Sequence, residues 1–438
     1  RDIQKNRENK AWIIQIKSMI ISNIEMQLFL LPVVLYFFYE FPFYATFLNL
    51  LVIPLMTILL SLGITGSFIC MLCSGMFKIP GKCMLGICGF ILTIYESCCE
   101  FFLELPGARV VIGRIKIWQI LFYYGCVVVI CVIHYYEKKH TQEKEYMKGQ
   151  ECNEAQECEK QRKCGNILTG MLCALGLFVL LHRFDSLSQM QVTVLDVGQG
   201  DGIFLKSPGG MTCMIDGGSS DVKNVGKYRI IPFIKYKGIR AIDYAIISHL
   251  DNDHVSGVRE LLEQSDNGGI KVRNIVLPKL LNKDDEYVEM EKLAHAMGVE
   301  VLYLKNGDSI EAGPLKIKCI NPDIKNQMDD RNDNSTVLDV KYKNFSMLLT
   351  GDISSEVENN IEKNLAQKYT VLKVPHHGSR FSSSENMLSK IEPKYSVISC
   401  GEGNSYGHPH IETIDRLNMH NTEILRTDFI GEIDFRME

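Results

Sequence analysis

A nearly uncharged run covers residues 26–77, broken only by Glu40, and it limits what this chain can fold into. The run is too long for one membrane span, because about 20 apolar residues cross a bilayer. Pro32, Pro42 and Pro54 interrupt it and favour breaks between successive helices. Further apolar stretches cover 84–105, 117–136 and 167–181. The sequence therefore predicts an α-helical transmembrane domain at the start of the chain.

A charged segment separates most of these spans from the rest of the chain. It has few large aliphatic residues, which predicts a mobile loop. Basic residues lie at both of its ends, beside the flanking spans: Lys138, Lys139, Arg162 and Lys163. The positive-inside rule places this linker in the cytoplasm, so the part of the chain after the last span lies outside it. The predicted divisions are a transmembrane domain at 1–136, the linker at 137–164, a last transmembrane helix at 165–184 and a final domain at 185–438.

The final domain has the pattern of an α/β protein. Short apolar strands alternate with helices, which favours two sheets covered by helices. The net charge of −5 gives no overall basic signature for nucleic acid. Of the 15 Cys in the chain, only Cys213, Cys319 and Cys400 follow residue 185, so a disulfide framework is excluded.

Four metal-ligating side chains lie within six residues of this domain. His249, Asp251, Asp253 and His254 follow an apolar run that is typical of a short buried strand. Two imidazoles and two carboxylates suit Zn²⁺, Mn²⁺ or Fe²⁺ better than Ca²⁺, which prefers oxygen ligands alone. The alternative is a polar surface turn that happens to be rich in His and Asp.

The 249–254 motif, preceded by Asp216-Gly217-Gly218, resembles the metallo-β-lactamase superfamily, whose fold is an α/β sandwich of αββα type. Other segments are similar to the C-terminal domain of the ComEC/Rec2 DNA-uptake channel: 195–201, 349–352, 374–379 and 406–410. In the helical half, Leu30-Leu31-Pro32, Asn49 and Pro54 resemble the competence domain of the same family. By this pattern, an N-terminal OB-fold domain and earlier spans are expected before Arg1.

The resemblance implies a centre with one or two divalent ions, Mn²⁺ or Zn²⁺. Most superfamily members have His where Asp251 stands, and the usual His of the third motif is not evident at 332–335. Asp352 is expected to bridge two ions, and we choose His376 over His377 as the last ligand. The implied metal ligands are His249, Asp251, Asp253, His254, Asp352 and His376.

Two metal ions about 3.5–4 Å apart can activate water and stabilise both reacting oxygens of a phosphodiester. His377 or His408 is the candidate donor of a proton to the leaving group. The full set of catalytic candidates is Asp253, His377, His408 and Ser379. The substrate-binding candidates are Gln199, Asp201, Asn334 and Ser335. Asp216 is interpreted as part of a structural turn that orients ligands from behind.

The function implied by the resemblance is DNA internalisation in natural transformation at the cell membrane. A multi-pass channel would carry single-stranded DNA, and an extracytoplasmic nuclease domain would degrade the strand that is not imported. The implied partners are arriving double-stranded DNA, the transported single strand, membrane lipid and other proteins of the competence machinery, and an oligomer is left open. Two alternatives remain: a lactamase-like domain that only docks DNA, and a membrane-anchored hydrolase of a lactone or thioester.

Overall fold

The computed structural model describes residues 2–72, 75–146, 154–183, 189–265, 269–366 and 368–437. The chain divides into two compact units, Arg1–Asp185 and Ser186–Glu438. Each unit has its own cluster of buried apolar side chains.

The first unit is built from long helices. They are α1 (Asp2–Phe38), α2 (Ala45–Leu72), α3 (Ile79–Glu104), α4 (Ile117–Tyr146) and α5 (Glu154–Leu181), with a 3₁₀ turn at Gly75–Lys78. Two short strands, β1 (Glu40–Pro42) and β2 (Arg109–Val111), pair antiparallel. Among the described residues, four segments are long and apolar enough to cross a membrane: Lys17–Phe38, Ala45–Leu72, Ile79–Glu104 and Ile117–Lys139. A shorter apolar helix covers Asn166–Leu181.

Close contacts at glycine and hydrogen bonds from side chains to backbone carbonyls join these helices. A Cβ added to Gly81 would lie 2.7 Å from the carbonyl oxygen of Gly66, so α2 and α3 approach each other at glycine. Gln119 on α4 donates from Nε2 to the carbonyls of Val179 (2.6 Å) and His182 (3.1 Å). This side chain satisfies carbonyls that the end of α5 leaves without a helical partner.

The charged segment 137–164 is not the loop that its composition predicts. Helix α4 continues to Tyr146 and α5 begins at Glu154, while 147–153 lie outside the described residues. Glu, Lys and Gln are good helix formers, and the adjoining apolar helices supply a nucleus that lets the helix extend. The predicted boundary between residues 184 and 185 also lies outside the described residues.

The second unit contains two seven-stranded sheets. The first has the order β16-β3-β4-β5-β6-β7-β8 and the second β15-β14-β13-β12-β11-β10-β9. The strands of the first sheet are β3 (Met190–Val194), β4 (Ile203–Lys206), β5 (Thr212–Ile215), β6 (Ala241–Ile246), β7 (Lys271–Pro278), β8 (Glu300–Leu304) and β16 (Ile433–Met437). Those of the second are β9 (Ser309–Ala312), β10 (Leu315–Asn321), β11 (Val337–Tyr342), β12 (Phe345–Leu349), β13 (Val371–Lys373), β14 (Tyr395–Ile398) and β15 (Glu423–Arg426).

Helices cover the outer face of each sheet. They are α6 (Ile231–Tyr236), α7 (Asn252–Ser265), α8 (Asp285–Ala296), α9 (Ser355–Ile361), α10 (Glu385–Ile391), α11 (Ile411–Met419) and α12 (Thr427–Ile430). One apolar core lies between the sheets, a second under α6–α8 and a third under α9–α11. These layers are helix, sheet, sheet and helix, which confirms the predicted αββα sandwich.

Candidate metal centre

The candidate site lies where parallel strands of both sheets end. β5 and β6 are parallel neighbours in the first sheet, and β12 and β13 in the second. β5 leads into Asp216, β6 into the 249–254 motif, β12 into Asp352, and β13 into His376 and His377. The carboxyl ends of parallel strands are the usual place for a binding site in an α/β fold.

The two glycines after Asp216 let the start of α7 approach the sheet. A Cβ on Gly218 would clash with the backbone of Asp253 and His254. The Gly217 amide donates to the His254 carbonyl at 2.7 Å. A residue with a side chain at position 218 would push α7 away, so the glycine is required by close backbone contact.

Asp216 orients His254, as the sequence predicts. Its Oδ2 lies 3.0 Å from His254 Nδ1, and its Oδ1 accepts the backbone N–H of Ser248 at 2.7 Å. Because Nδ1 carries the proton that faces this carboxylate, Nε2 is the nitrogen left for a ligand. Both side chains are fully buried, so the orientation is fixed.

Four side chains of ligand type converge in front of His254. Asp253, His254, Asp352 and His377 each offer one atom, and these atoms all lie within 4.8 Å of one another. His254 Nε2 is 3.4 Å from Asp352 Oδ1, and His377 Nε2 is 3.4 Å from Asp352 Oδ2. His377 Nε2 also lies 3.6 Å from Asp253 Oδ2. We call these four residues the ligand cluster.

Buried polar atoms of the ligand cluster fit a divalent ion. His254 Nε2, His377 Nε2 and Asp352 Oδ1 are buried and have no hydrogen-bond partner. Leaving such atoms unpaired costs about 1–3 kcal/mol each, so native proteins rarely do it without a reason. Two imidazoles and two carboxylates match the ligand preferences of Mn²⁺, Zn²⁺ and Fe²⁺.

The structure places His377 in the ligand cluster, contrary to the sequence-based choice of His376. Both residues have left-handed backbone angles, with φ of 49° and 53°. This conformation is costly for residues other than glycine and is typical of functional sites. It turns His377 inward, where Nδ1 donates to the Ser399 carbonyl at 2.9 Å. His376 remains partly exposed, with Nε2 3.8 Å from Asp352 Oδ2.

Two other predicted ligands, His249 and Asp251, lie beside the ligand cluster rather than in it. His249 Nδ1 is within 3.0 Å of Ser248 Oγ and 3.3 Å of Ser335 Oγ. Asp251 accepts a hydrogen bond from Arg331 Nη1 at 2.7 Å and is 40% exposed. Asp251 was expected to bind a metal ion, but in the structure it is paired with Arg331, which lies next to the third motif.

Asp201 is buried beside the ligand cluster. Its Oδ1 lies 3.5 Å from His377 Nδ1, and its Oδ2 contacts the ammonium of Lys373. With Asp216 and His254, it forms a second group of ligand-type atoms within 4.8 Å. Asp201 is only 1% exposed, so it does not reach a substrate as the sequence analysis expected.

The electrostatics of the ligand cluster follow from its opposed charges. Burial lowers the pKa of His377, but Asp352 and Asp201 outweigh this effect and raise it to about 9. Burial also disfavours the charged form of His254, and Asp352 and Asp216 still hold its pKa well above the ordinary value. Burial raises the pKa of Asp352, whereas the charges of His377 and His254 bring it well below the ordinary value.

The other substrate-binding candidates are engaged inside the protein. Asn334 uses its side-chain oxygen and nitrogen within its own loop, accepting from Met328 N at 3.1 Å and donating to Met328 O at 2.6 Å. Ser335 is fully buried against His249. Gln199 accepts from the Gly401 amide at 3.2 Å. These contacts make them positioning residues for the loops around the site.

The two remaining catalytic candidates, Ser379 and His408, differ in their access to the site. Ser379 is 3% exposed, and its Oγ accepts from the Phe381 amide at 3.4 Å. His408 lies at the rim, with its ring centroid 6.3 Å from that of His377 and 5.6 Å from that of His376. Burial, and then the charges of His377 and His376, lower the pKa of His408 to about 4. The ring of His408 is therefore mainly neutral near pH 7, and its role as a proton donor stays a prediction.

Two cations near the site, Lys373 and Arg331, are not among the residues predicted from the sequence. Lys373 ends an apolar strand, Val371-Leu372-Lys373, and is fully buried. A Lys within such a strand is the signal that could have found it, because buried Lys requires an anionic partner. Arg331 lies in a polar loop, and its contact with Asp251 joins residues 80 positions apart. No local pattern marks that contact.

Comparison with known proteins finds matches to both the helical unit and the α/β unit of the chain. The family model of competence proteins matches residues 1–136, and that of the metallo-β-lactamase superfamily matches residues 195–402. ComE operon protein 3 of Bacillus subtilis is 26% identical over 432 residues, which cover 95% of this chain and 51% of that protein. The chain is similar to the ComEC/Rec2 family of competence proteins in both of its units. The family resemblance of the sequence is thereby confirmed, and the chain is a membrane protein with a metallo-β-lactamase domain.

A second relative from this family covers less of the chain. Recombination protein 2 of Haemophilus influenzae is 28% identical over 267 residues, which cover 60% of this chain and 31% of that protein. The chain thus spans about half the length of the Bacillus relative and about a third of the Haemophilus relative. Among solved structures, the metallo-β-lactamase fold protein YhfI of Bacillus subtilis matches 57% of this chain and 100% of its own, with 11% identity and a TM-score of 0.39.

Proposed function

We propose that the metallo-β-lactamase domain is a metal-dependent phosphodiesterase that cuts DNA, within a membrane protein that imports single-stranded DNA. The observation that carries this proposal is the buried ligand cluster, with three unpaired polar atoms, in a chain that also has a competence domain. In this role the domain degrades the strand that is not imported. Arriving DNA, membrane lipid and other competence proteins are its proposed partners.

The ligand cluster is suited to one divalent ion. His254 and His377 would bind it through Nε2, and Asp253 and Asp352 through carboxylate oxygens. Such an ion acts as a Lewis acid on a phosphoryl oxygen and makes water nucleophilic near neutral pH. Asp216 and the Ser399 carbonyl hold the two imidazoles in the required tautomer.

His408 lies at the mouth of the site, and its proposed role is proton transfer. Its ring is neutral at physiological pH, because its pKa is near 4. Its Nδ1 lies 3.5 Å from Gln199 Nε2, which fixes the ring orientation. We assign His408 as a proton acceptor at the mouth of the site. A pKa near 4 makes it a weak base, which is sufficient for water that a bound ion would have made acidic.

Aromatic side chains at the rim favour a single strand as substrate. Tyr406 is 56% exposed and stacks near His408, with ring centroids 5.8 Å apart and planes 20° apart. Phe381 is 73% exposed, and Arg380 precedes it. Bases of single strands stack on exposed aromatic rings, at about 1–3 kcal/mol for each base. A strand stacked on Tyr406 would lie beside His408 and the ligand cluster.

The proposed topology keeps residues 137–164 in the cytoplasm and the domain after residue 185 outside it. Basic residues flank the spans at both ends of this segment: Lys138, Lys139, Arg162 and Lys163. Such residues set orientation when they lie close to a span. The apolar helix Asn166–Leu181 is short for a span and would cross with local thinning of the bilayer.

Metal titration of a nuclease assay tests the proposed activity. The full chain in detergent should cut single-stranded DNA with Mn²⁺, and Asp352→Asn should reduce the rate by at least about 10²-fold, because a charged ligand is lost. Asp339→Asn, a buried Asp outside the ligand cluster, is the matched control. DNA binding without cleavage by metal-loaded wild type would favour the docking alternative. Cleavage of a lactone or thioester instead of DNA would favour the third function.

Labelling of single-Cys variants tests the topology. In a background without other Cys, an impermeant maleimide added to intact protoplasts should label Lys283→Cys on the domain and miss Cys158 in the linker. Labelling at Cys158 with protection at position 283 would invert the orientation. A cytoplasmic domain would act on imported DNA, and the proposed degradation of the excluded strand would then be abandoned.

A further inference from the structure

Lys373 is a buried cation in the floor of the candidate metal centre. It is the last residue of β13 and is fully buried. Its ammonium contacts the Asp201 carboxylate and lies 3.8 Å from Asp352 Oδ1. Its Nζ also lies 3.5 Å from the Gly351 carbonyl oxygen. A buried ammonium without an anion would be strongly destabilising, so this contact is part of the fold.

The ammonium has an anionic partner in this position. It contacts the buried carboxylate of Asp201, and a buried cation is tolerated only with such a partner. Lys373 therefore brings a cationic side chain beside the ligand cluster.

The second group of ligand-type atoms is already in use. Its members are Asp201, Asp216 and His254. Asp201 is bound by Lys373, and His254 Nδ1 faces Asp216 at 3.0 Å. The ammonium of Lys373 and the contact between Asp216 and His254 thus involve the same side chains that a second ion would need.

Asp251 and His249, the predicted ligands that lie outside the cluster, also make contacts within the protein. Arg331 binds Asp251 through Nη1 at 2.7 Å, and its Nη2 lies 2.8 Å from Asp284 and 3.0 Å from Glu286. His249 Nδ1 is within hydrogen-bond distance of Ser248 Oγ. These two predicted ligands therefore have partners within the protein.

We propose that Lys373 takes the part of a second metal ion, so that the centre holds one divalent ion and one ammonium. Asp352 would then face one ion and Lys373, instead of two ions. Lys373 acts as a positioning residue, because its ammonium lies 3.8 Å from Asp352 Oδ1 and contacts Asp201, whose Oδ1 lies 3.5 Å from His377 Nδ1. This assignment concerns the number of ions and does not depend on the substrate.

Metal stoichiometry of the wild type is the first test. The full chain is purified in detergent, stripped with a chelator and titrated with Mn²⁺, which avoids binding to the Cys thiols because it prefers oxygen and nitrogen ligands. Elemental analysis should give one Mn²⁺ for each chain. The electron paramagnetic resonance spectrum should show six lines from an isolated ion. Two ions with an exchange-coupled spectrum would overturn the proposal.

Substitution of Lys373 is the second test. Lys373→Met keeps the length of the side chain and removes the charge, so the first Mn²⁺ should bind at least about tenfold more tightly. A second Mn²⁺ should then bind near the freed Asp201. Lys373→Arg should keep one ion, and Lys341→Met, on the protein surface, should change neither quantity.

Both tests can fail independently of the nuclease proposal. If Lys373→Met binds one ion with unchanged affinity, the ammonium does not act as a second cation. If this variant does not fold by circular dichroism, the wild-type stoichiometry and spectrum still decide. A chain that binds one uncoupled ion but cuts no DNA would support this inference and contradict the proposed function.

Discussion

Asp216 Oδ2 lies 3.0 Å from His254 Nδ1, and this contact decides which nitrogen of His254 faces the ligand cluster. The other carboxylate oxygen accepts the Ser248 amide, so Asp216 cannot rotate freely. A metal-ligating His commonly has a carboxylate behind it, which fixes the tautomer and raises the basicity of the ring. Through its contact with His254, Asp216 in the turn after β5 orients one side chain of the candidate metal centre.

Asp216→Asn should lower Mn²⁺ affinity by about 10–100-fold, as is typical when the partner of a metal-ligating His is changed. The Asn oxygen would remain with the Ser248 amide, and its NH₂ group would face His254 Nδ1. His254 would then carry its proton on Nε2, where the ion binds. Isothermal titration measures the loss, with exposed Asp415→Asn as control. Unchanged affinity would remove Asp216 from its supporting role.

His377→Ala and His376→Ala form a matched pair, because the residues are adjacent and only His377 lies in the ligand cluster. We expect His377→Ala to lose metal binding by at least about 10²-fold, since one of four ligands is removed. His376→Ala should retain one ion for each chain. Elemental analysis after dialysis distinguishes them, and the reverse order of losses would restore the sequence-based choice of His376.

The choice between these two histidines shows the limit of sequence reasoning at this site. The motif identifies two adjacent imidazoles, but their direction depends on left-handed φ angles at both residues. Asp253, His254 and Asp352 belong to motifs that follow strands, so the sequence could place them at one sheet edge. The contacts of Lys373 with Asp201 and Arg331 with Asp251 join distant parts of the chain, and no local pattern contains them.

In the fold, as at the site, features that depend on a local sequence pattern were predicted correctly, whereas those that depend on other parts of the chain were not. Apolar strand patterns located β6, β12 and β13, whose alternation with helices favoured layered sheets. The prediction of a loop at 137–164 is wrong for the described residues, because a polar composition fits a loop and a helix equally well. Helix α4 extends to Tyr146 because a helix already formed costs little to lengthen with good helix formers.

Metal binding should strengthen as pH rises. The pKa of His377 is about 9, so below that pH an ion must displace its proton. Affinity for Mn²⁺ should rise by up to about tenfold per pH unit between pH 6.5 and 9 for each proton released. Titrations in buffers of different ionisation enthalpy measure that release, and constant affinity across this range would contradict the charged pair of His377 and Asp352.

Thermal stability of the chelator-stripped chain should change in the opposite direction. His377 has a raised pKa in the folded state, so its contribution to stability is complete below pH 6.5. That contribution is lost as pH rises through about 9. The melting temperature should therefore fall between these values, and His377→Ala should flatten this part of the curve. An equal fall in the variant would assign the effect to other groups.

Tyr406→Ala should weaken the cleavage of single-stranded DNA without affecting a small phosphodiester. Loss of one stacked base should raise KM for DNA by roughly 5–150-fold, corresponding to about 1–3 kcal/mol. Hydrolysis of bis(4-nitrophenyl) phosphate and the Mn²⁺ content should remain at wild-type values, because Tyr406 does not contact the ligand cluster. Equal losses on both substrates would point to a displaced His408 instead of lost stacking.

The most direct test of the account measures ion occupancy and DNA cleavage in one sample. Mn²⁺ is titrated into the stripped chain while bound ion is followed by electron paramagnetic resonance and cleavage by release of a fluorescent end label. We expect the rate to rise in proportion to occupancy and to saturate at one ion for each chain, with neither signal in His254→Ala. Cleavage before the ion binds, or no cleavage at full occupancy, would contradict the proposal that this cluster is the catalytic centre of a nuclease.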